Sequence, residues 1–396
     1  MKKGRYHLKR ILALLMALLL VTLTACSSEE EPQSSSSAPV TERTETAPPE
    51  TESQPEEEEE PAADNSWQFD TPENHQMDPE VFDDLHTALA GTEIYAAVTV
   101  KDGVIIDEYY KEGYDETSVF PLHSASKSFT SALLGIAMEQ GYIGSVDDLL
   151  SEYLPQVSQL EEGKQQLTLR HLLTQTSGLE WYEWGSGYSN WVEFRTSSNW
   201  VDYILGRDLV AQPGTVFNYS TGNTHLISAA LEAATGRNQL EFGKEYLFDP
   251  LGIESVQWGT DPQGITDGGN GISMTARDAA RFGQLYLQGG QWNGQQLVPA
   301  DWVEESTTAQ NRGAGDSTGS YGYQWWVTSF TTGGYGTYTT PYPTAQYDAY
   351  FAFGHGGQII YVVPQLELVT VFTCGGNNSY VPRPFFTDYI LNAYTG

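Results

Sequence analysis

The chain has 396 residues, long enough for one large two-lobed domain or for two ordinary ones. Lys and Arg number 19 against 52 Asp and Glu, a formal net charge of −33 that argues against a nucleic-acid partner, because phosphate binding needs clustered cations. Two cysteines build no disulfide framework, and 39 glycines with 12% aromatic residues suit a folded body with many tight turns rather than a chain disordered throughout.

Residues 1–26 read as a targeting segment. Lys2, Lys3, Arg5, Lys9 and Arg10 make a basic start, and the apolar run Ile11 to Val21 has the length of a signal core rather than of a spanning helix. The run ends in Leu23-Thr24-Ala25-Cys26, which resembles the lipobox of bacterial lipoproteins. That resemblance implies a diacylglycerol on the Cys26 thiol, cleavage before it, and a mature chain anchored on the outer side of the cytoplasmic membrane. Residues 27–63 are Ser, Thr, Pro and Glu, with an unbroken run from Glu56 to Glu60. Such a segment buries too little apolar surface to offset its ordering entropy, so an extended acidic tether is expected. The folded body is expected over 64–396.

A helix is predicted over Pro79–Ala90, with Asp78 as its cap and Gly91 as its stop. Ile94–Val100 and Val104–Tyr110 flank an Asp102-Gly103 turn and read as a β-hairpin. Helical spacing recurs in Ser124–Gln140, Val146–Tyr153, Leu169–Gln175, Ser198–Leu205, Asn223–Ala234, Leu240–Leu247 and Ala276–Gln288. Strand-like runs follow at Tyr321–Thr328, Ala349–Phe353, Gln358–Val363 and Leu366–Thr373, and Phe385–Tyr394 reads as a closing helix. Strands at both ends and helices between them predict an α+β fold: an antiparallel sheet built from both chain ends, flanked by helices, with a mostly helical lobe inserted. A cleft between sheet and lobe is then the natural ligand site. The aromatic segment 180–200 fits either ordinary lobe packing or a wall of that cleft, and the Thr/Gly/Tyr/Pro segment 329–348 either a surface Ω-loop or such a wall. Cys374 lies in an apolar run and reads as an inert buried thiol.

Three short elements carry chemistry. Ser124-Ala125-Ser126-Lys127 opens a helix, and residues three apart share a helical face, so the Ser124 hydroxyl and Lys127 amine point together. A serine hydroxyl becomes a nucleophile when a base takes its proton, and lysine is that base when burial lowers its pKa. Alone, this spacing fits equally an N-cap serine beside a solvated lysine. Tyr219-Ser220-Thr221 precedes the next helix, and a tyrosine there can relay a proton, most effectively as a phenolate beside an ammonium. His355-Gly356-Gly357-Gln358 enters a strand, where glycines let a substrate approach the backbone.

In order and spacing, these elements resemble the three motifs of the serine penicillin-recognising enzymes. More closely, the chain resembles the class C β-lactamase-related serine hydrolases, a group that includes D-alanyl-D-alanine carboxypeptidases, D-aminopeptidases, β-lactamase-like esterases and 6-aminohexanoate-dimer hydrolases. Leu172-Leu173-Thr174-Gln175-Thr176-Ser177-Gly178-Leu179 is similar to that group's "LLTHTSGL" phrase, and Gln212-Pro213-Gly214 also fits. The resemblance implies the β-lactamase/transpeptidase-like fold and these roles: Ser124 as acylated nucleophile, Lys127 as its base, Tyr219 as relay, His355 at the head of the third motif, and the N–H groups of Ser124 and Gln358 as oxyanion hole. Gly356, Gly357, Thr221, Asn223 and Trp181 are expected to contact substrate.

Two departures bear on substrate. His-Gly-Gly replaces the Lys-Thr-Gly usual in β-lactamases, which removes a permanent cation and a hydroxyl that face a carboxylate. Thr221 stands where many members have Asn, with Asn223 as a substitute. The expected activity is therefore hydrolysis of an ester or small amide through an acyl-enzyme, with β-lactam turnover disfavoured. Cleavage of cell-wall D-amino peptides and penicillin binding without turnover are the alternatives. No cofactor and no metal are expected, and neither is any partner beyond substrate and, through Cys26, the membrane. A monomer is expected.

Overall fold

The Asp102-Gly103 turn forms as read, with both residues at positive φ (53° and 85°), the geometry that matches the twist of a tight hairpin. It joins β1 (Ile94–Lys101) to β2 (Val104–Tyr110). The computed structural model describes residues 65–183, 189–315 and 318–396. The targeting segment, the tether, Cys26, Trp184 and Tyr188 lie outside these residues.

Five strands from the far end complete the sheet: β3 (Ser320–Tyr321), β4 (Trp326–Thr331), β5 (Gln346–Gly354), β6 (Gln358–Val363) and β7 (Leu368–Cys374). The order is β2-β1-β7-β6-β5-β4-β3, and every pairing is antiparallel. The seam is β1 against β7, with Val98 opposite Val371 and Val100 opposite Val369. The first and last strands of the domain are thus neighbours, as the distribution of strand-like runs implied.

Period-two alternation splits the side chains between two cores. Val98, Val100, Ile360, Val362, Val369 and Val371 face the helical lobe, whereas Ile359, Tyr361, Val363, Leu368 and Phe372 face the opposite layer. On the lobe side lie α1 (Ser126–Glu139), α2 (Thr221–Thr235) and α3 (Ala276–Leu287). The third lies flat on the sheet at Gly283, where an added Cβ would come within 2.6 Å of Val369 and 2.8 Å of Ile360. On the other side, the capped helix Pro79–Leu89 packs against the closing helical segment. That segment starts at Pro382 and changes from α to π to 3-10 geometry before residue 394.

Several boundaries differ from the sequence reading. The helix expected over Val146–Tyr153 is one turn, Leu150–Tyr153, because Asp148 instead closes a polar turn with the N–H groups of Gly144 and Ser145. Tyr321–Thr328 is two strands, broken at Gly322, where an added Cβ would lie 2.1 Å from the Ser306 carbonyl. Residues 332–345 form a surface loop and do not line the cavity described below; Thr332 N–H donates to the Ala345 carbonyl (2.9 Å) and closes it. They fold over the outer helical layer, where Asp388 accepts from the N–H groups of Tyr335 (3.1 Å) and Thr337 (2.6 Å), and Tyr338 stacks on Tyr389.

Candidate active site

Ser124 sits in a single 3-10 turn, His123–Ala125, that runs directly into α1. The turn is held by the Ser126 hydroxyl, which donates to the His123 carbonyl (2.5 Å) and accepts from Ile272 N–H (3.1 Å). This places Ser124 Oγ at the mouth of the lobe and Lys127 one turn inward, where the lysine is buried. The Lys127 amine contacts Ser124 Oγ (3.0 Å), Thr221 Oγ1 (2.9 Å) and the Gly269 carbonyl (2.6 Å). Burial lowers its pKa to about 8 against the opposing pull of Glu183 and Asp267. An ordinary solvated lysine is thereby excluded.

The Tyr219 motif is positioned by the Leu172–Leu179 phrase. Gln175 stands at positive φ, and its side-chain oxygen accepts from Ser220 N–H (3.0 Å) and from Asn223 Nδ2 (2.9 Å). Gly178 is required at φ 75°, and an added Cβ would lie 2.1 Å from the Ala211 carbonyl. The phrase is therefore a scaffold that clamps the Tyr loop. Tyr219 and Ser124 line the same cavity, and Lys127 Nζ lies 5.0 Å from the centre of the Tyr219 ring. Burial, helped by Tyr321 and Glu183, holds the phenol well above its ordinary pKa, so the resting side chain is a neutral hydroxyl and not a phenolate.

A cavity of about 420 Å³ opens over these groups, lined by Ser124, Tyr219, Trp326, Phe353 and His355 together with residues 377–380. Asn377, Asn378, Ser379 and Tyr380 had no motif to mark them; they reach the site because they follow β7 and lie beside the His355 turn. The described lining carries no Lys, Arg, Asp or Glu. A second cavity of about 500 Å³ meets it at His355 and Asn377 and is walled by Tyr95, Tyr114 and Phe120. Among the described residues, no three His, Cys, Asp or Glu side chains converge on a metal-sized point.

Several expected substrate contacts lie elsewhere. Trp181 is buried in the lobe core against Phe194 and Tyr203, and its indole N–H donates to Glu183 (2.5 Å). Thr221 is buried behind Lys127, between that amine and Glu183. Asn223 is buried and spends its amide on Gln175, so it does not replace the missing motif asparagine. Gly356 and Gly357 are glycines because of positive φ (79° and 99°) and crowding: an added Cβ would meet the Gly376 carbonyl at 2.5 Å and Pro382 at 2.9 Å, respectively. Gly356 N–H donates to Ser379 Oγ (2.9 Å). Gln358 opens β6 opposite Gly354, with its side-chain amide locked onto the Cys374 backbone. Cys374 is buried and its thiol is pushed up to about 12, which makes it inert.

The beta-lactamase family profile matches residues 82–394, most of the chain. The chain belongs to the beta-lactamase family. As a member it is a serine hydrolase. It is 27% identical over 266 residues to the 6-aminohexanoate-dimer hydrolase of Paenarthrobacter ureafaciens, covering 62% of this chain and 67% of that protein. Among solved structures, a putative 6-aminohexanoate-dimer hydrolase from Bacillus anthracis superposes with TM-score 0.64 at 24% identity, covering 77% of this chain and 80% of that one. EstCE1, described as a hydrolase with promiscuous acyltransferase activity, superposes with TM-score 0.61 at 17% identity, covering 80% and 98%. Both superpositions are of the fold.

Proposed function

We propose that this family member hydrolyses an uncharged ester or small amide through a Ser124 acyl-enzyme, on the outer side of the membrane. The observation that carries the reading is the 3.0 Å contact of Ser124 Oγ with a buried Lys127 at a cavity whose described lining holds no charged side chain. Neutral Lys127 takes the Ser124 proton as Oγ bonds to the carbonyl carbon, and the carbonyl π electrons move to oxygen. The N–H groups of Ser124 and Gln358 are the assigned donors to that oxyanion. Collapse breaks the bond to the leaving oxygen or nitrogen, which takes a proton relayed from Lys127 by the Tyr219 hydroxyl. Water then gives a proton to Lys127 as its oxygen bonds to the acyl carbon, and collapse breaks the carbon–Oγ bond, releases the acid and returns that proton to Ser124.

Without a cation beside His355 in the described lining, a penicillin carboxylate or a peptide C-terminus has no strong partner, which favours uncharged substrates over cell-wall peptides. The basic start, the apolar run and the Cys26 lipobox support a lipid anchor, and residues 27–63 then serve as the tether. The reading is tested by intact-mass spectrometry of the chain from Asp64 onward, beside its S124A variant, with p-nitrophenyl butyrate, nitrocefin and an N-acyl-D-Ala-D-Ala peptide. Fast ester turnover lost in S124A, with little nitrocefin cleavage, is the expected result. A long-lived penicillin adduct would move the assignment to cell-wall peptides, and identical behaviour of both proteins would sink the acyl-enzyme.

A further inference from the structure

Lys127 must present a lone pair to Ser124, and a neutral amine has one lone pair and two N–H bonds. Of its other two neighbours, the Gly269 carbonyl can only accept. Thr221 is ambiguous by chemistry, since a hydroxyl both donates and accepts. Its environment removes the ambiguity. The Thr221 hydroxyl donates to Glu183 Oε1, while Glu183 Oε2 accepts from Thr221 N–H (2.8 Å) and from the Trp181 indole (2.5 Å). Glu183 is buried and all three of these partners donate to it, the bonding of a carboxylate. With its proton committed to Glu183, the Thr221 oxygen can only accept from Lys127 (2.9 Å).

We propose that Glu183 is a positioning residue for the reaction: by holding the proton of Thr221, it makes both spare neighbours of Lys127 acceptors and so aims the lysine lone pair at Ser124. This rests on the acyl-enzyme reading above and assigns a task to a residue carried by the aromatic segment. The ionisable groups around Lys127 are Glu183 through Thr221, Asp267 on the loop that supplies Gly269, and the Tyr219 ring; Asp267 is itself paired with Arg195.

The test is E183Q. The Oε2 position must still accept two N–H bonds, so the amide oxygen takes it and the NH₂ faces Thr221. The Thr221 hydroxyl then accepts from Gln and turns its proton to Lys127, capturing the lone pair. With p-nitrophenyl butyrate, kcat on the pH plateau is expected to fall about 10²-fold with KM little changed, since general-base assistance is worth 10² to 10⁴. The rising pH limb is expected to move to lower pH, because a negative charge that favours the ammonium has gone. T221S should keep most of the wild-type kcat and T221V should lose it as E183Q does.

A plateau kcat within twofold of wild type and an unmoved limb in E183Q would overturn the proposal. If E183Q does not fold, equal kcat in T221S and T221V overturns it instead. Wild type and S124A run in parallel separate the two readings. Wild type labelled at Ser124 by a fluorophosphonate, with E183Q acylated equally fast, rejects only the role of Glu183. Wild type indistinguishable from S124A rejects the acyl-enzyme and this proposal together.

Discussion

Lys127 on the lobe side of the sheet and Asp388 on the outer side are both buried charges with three or more hydrogen-bond partners, yet their titrations move toward opposite forms. At Asp388 burial favours the neutral acid, but bonds from Thr337 N–H and hydroxyl, Tyr335 N–H and Thr387 outweigh it and hold the carboxyl below its ordinary range. At Lys127 burial wins over the attraction of Glu183 and Asp267, and the amine comes down to about 8. A charge whose bonds win is a clamp: Asp388 fastens residues 332–345 to the closing helix. A charge whose burial wins is a group on the verge of releasing its proton, which is what a general base requires.

The largest effect should come from Lys127→Met, which keeps the volume and removes the amine. It is expected to lower kcat for p-nitrophenyl butyrate by about 10³-fold with little loss of fold, read by steady-state kinetics beside circular dichroism. Retained activity would make Lys127 a structural cation and erase the contrast with Asp388. Next comes Tyr219→Phe, expected to cost about 10²-fold in kcat because the ring still packs while the relay to the leaving group is gone. An alcohol leaving group of low pKa should suffer less than an amine, which a series of esters and amides will show.

The pH dependence sharpens the same comparison. Lys127 must be neutral to act, so kcat/KM should rise with pH through about 8, with about a tenth of the enzyme competent one unit below. A flat profile from pH 6 to 9 would mean that the amine is neutral throughout. The smallest effect on activity, and a clear one on stability, belongs to Asp388→Ala. Removing a carboxylate that satisfies several donors should cost about 2–3 kcal/mol in urea unfolding, with kcat nearly unchanged. The contribution of Asp388 is present above the ordinary aspartate pKa of 3.8 and fades as pH falls through its lowered folded value, so the variant and wild type should converge in acid. A large kcat loss in Asp388→Ala would mean that the clamp and the site are coupled.

Much was legible in local pattern. The Asp102-Gly103 turn, the Pro79 helix with its Asp78 cap, strand β6 and the start of α3 each follow from a few adjacent residues, and each forms where the pattern put it. The Ser124–Lys127 pair was legible for the same reason: one helical turn brings positions three apart together, here to 3.0 Å. Resemblance added Tyr219, which shares a cavity with Ser124 across a long stretch of chain that no periodicity can bridge.

The rest depended on which segments the fold brings together. Thr221 and Asn223 sit two residues apart, yet one bonds the Lys127 amine and the other faces Gln175, because a helix turns about 100° per residue. Glu183 was one acid in an acid-rich chain, and it meets Thr221 where Trp181 packs close to Gly222. Gly269 supplies a backbone carbonyl, which has no side-chain signal, and residues 377–380 line the cavity only because β7 ends beside the His355 turn. The sequence by itself determined the strands at both ends, the helical insertion and the meeting of Ser124 with Lys127, since all of these are set by short-range spacing. The tertiary structure decided which buried charge is tipped toward its neutral form, which threonine faces Lys127 and which loop walls the cavity, because burial and long-range hydrogen bonding depend on neighbours far away in the chain.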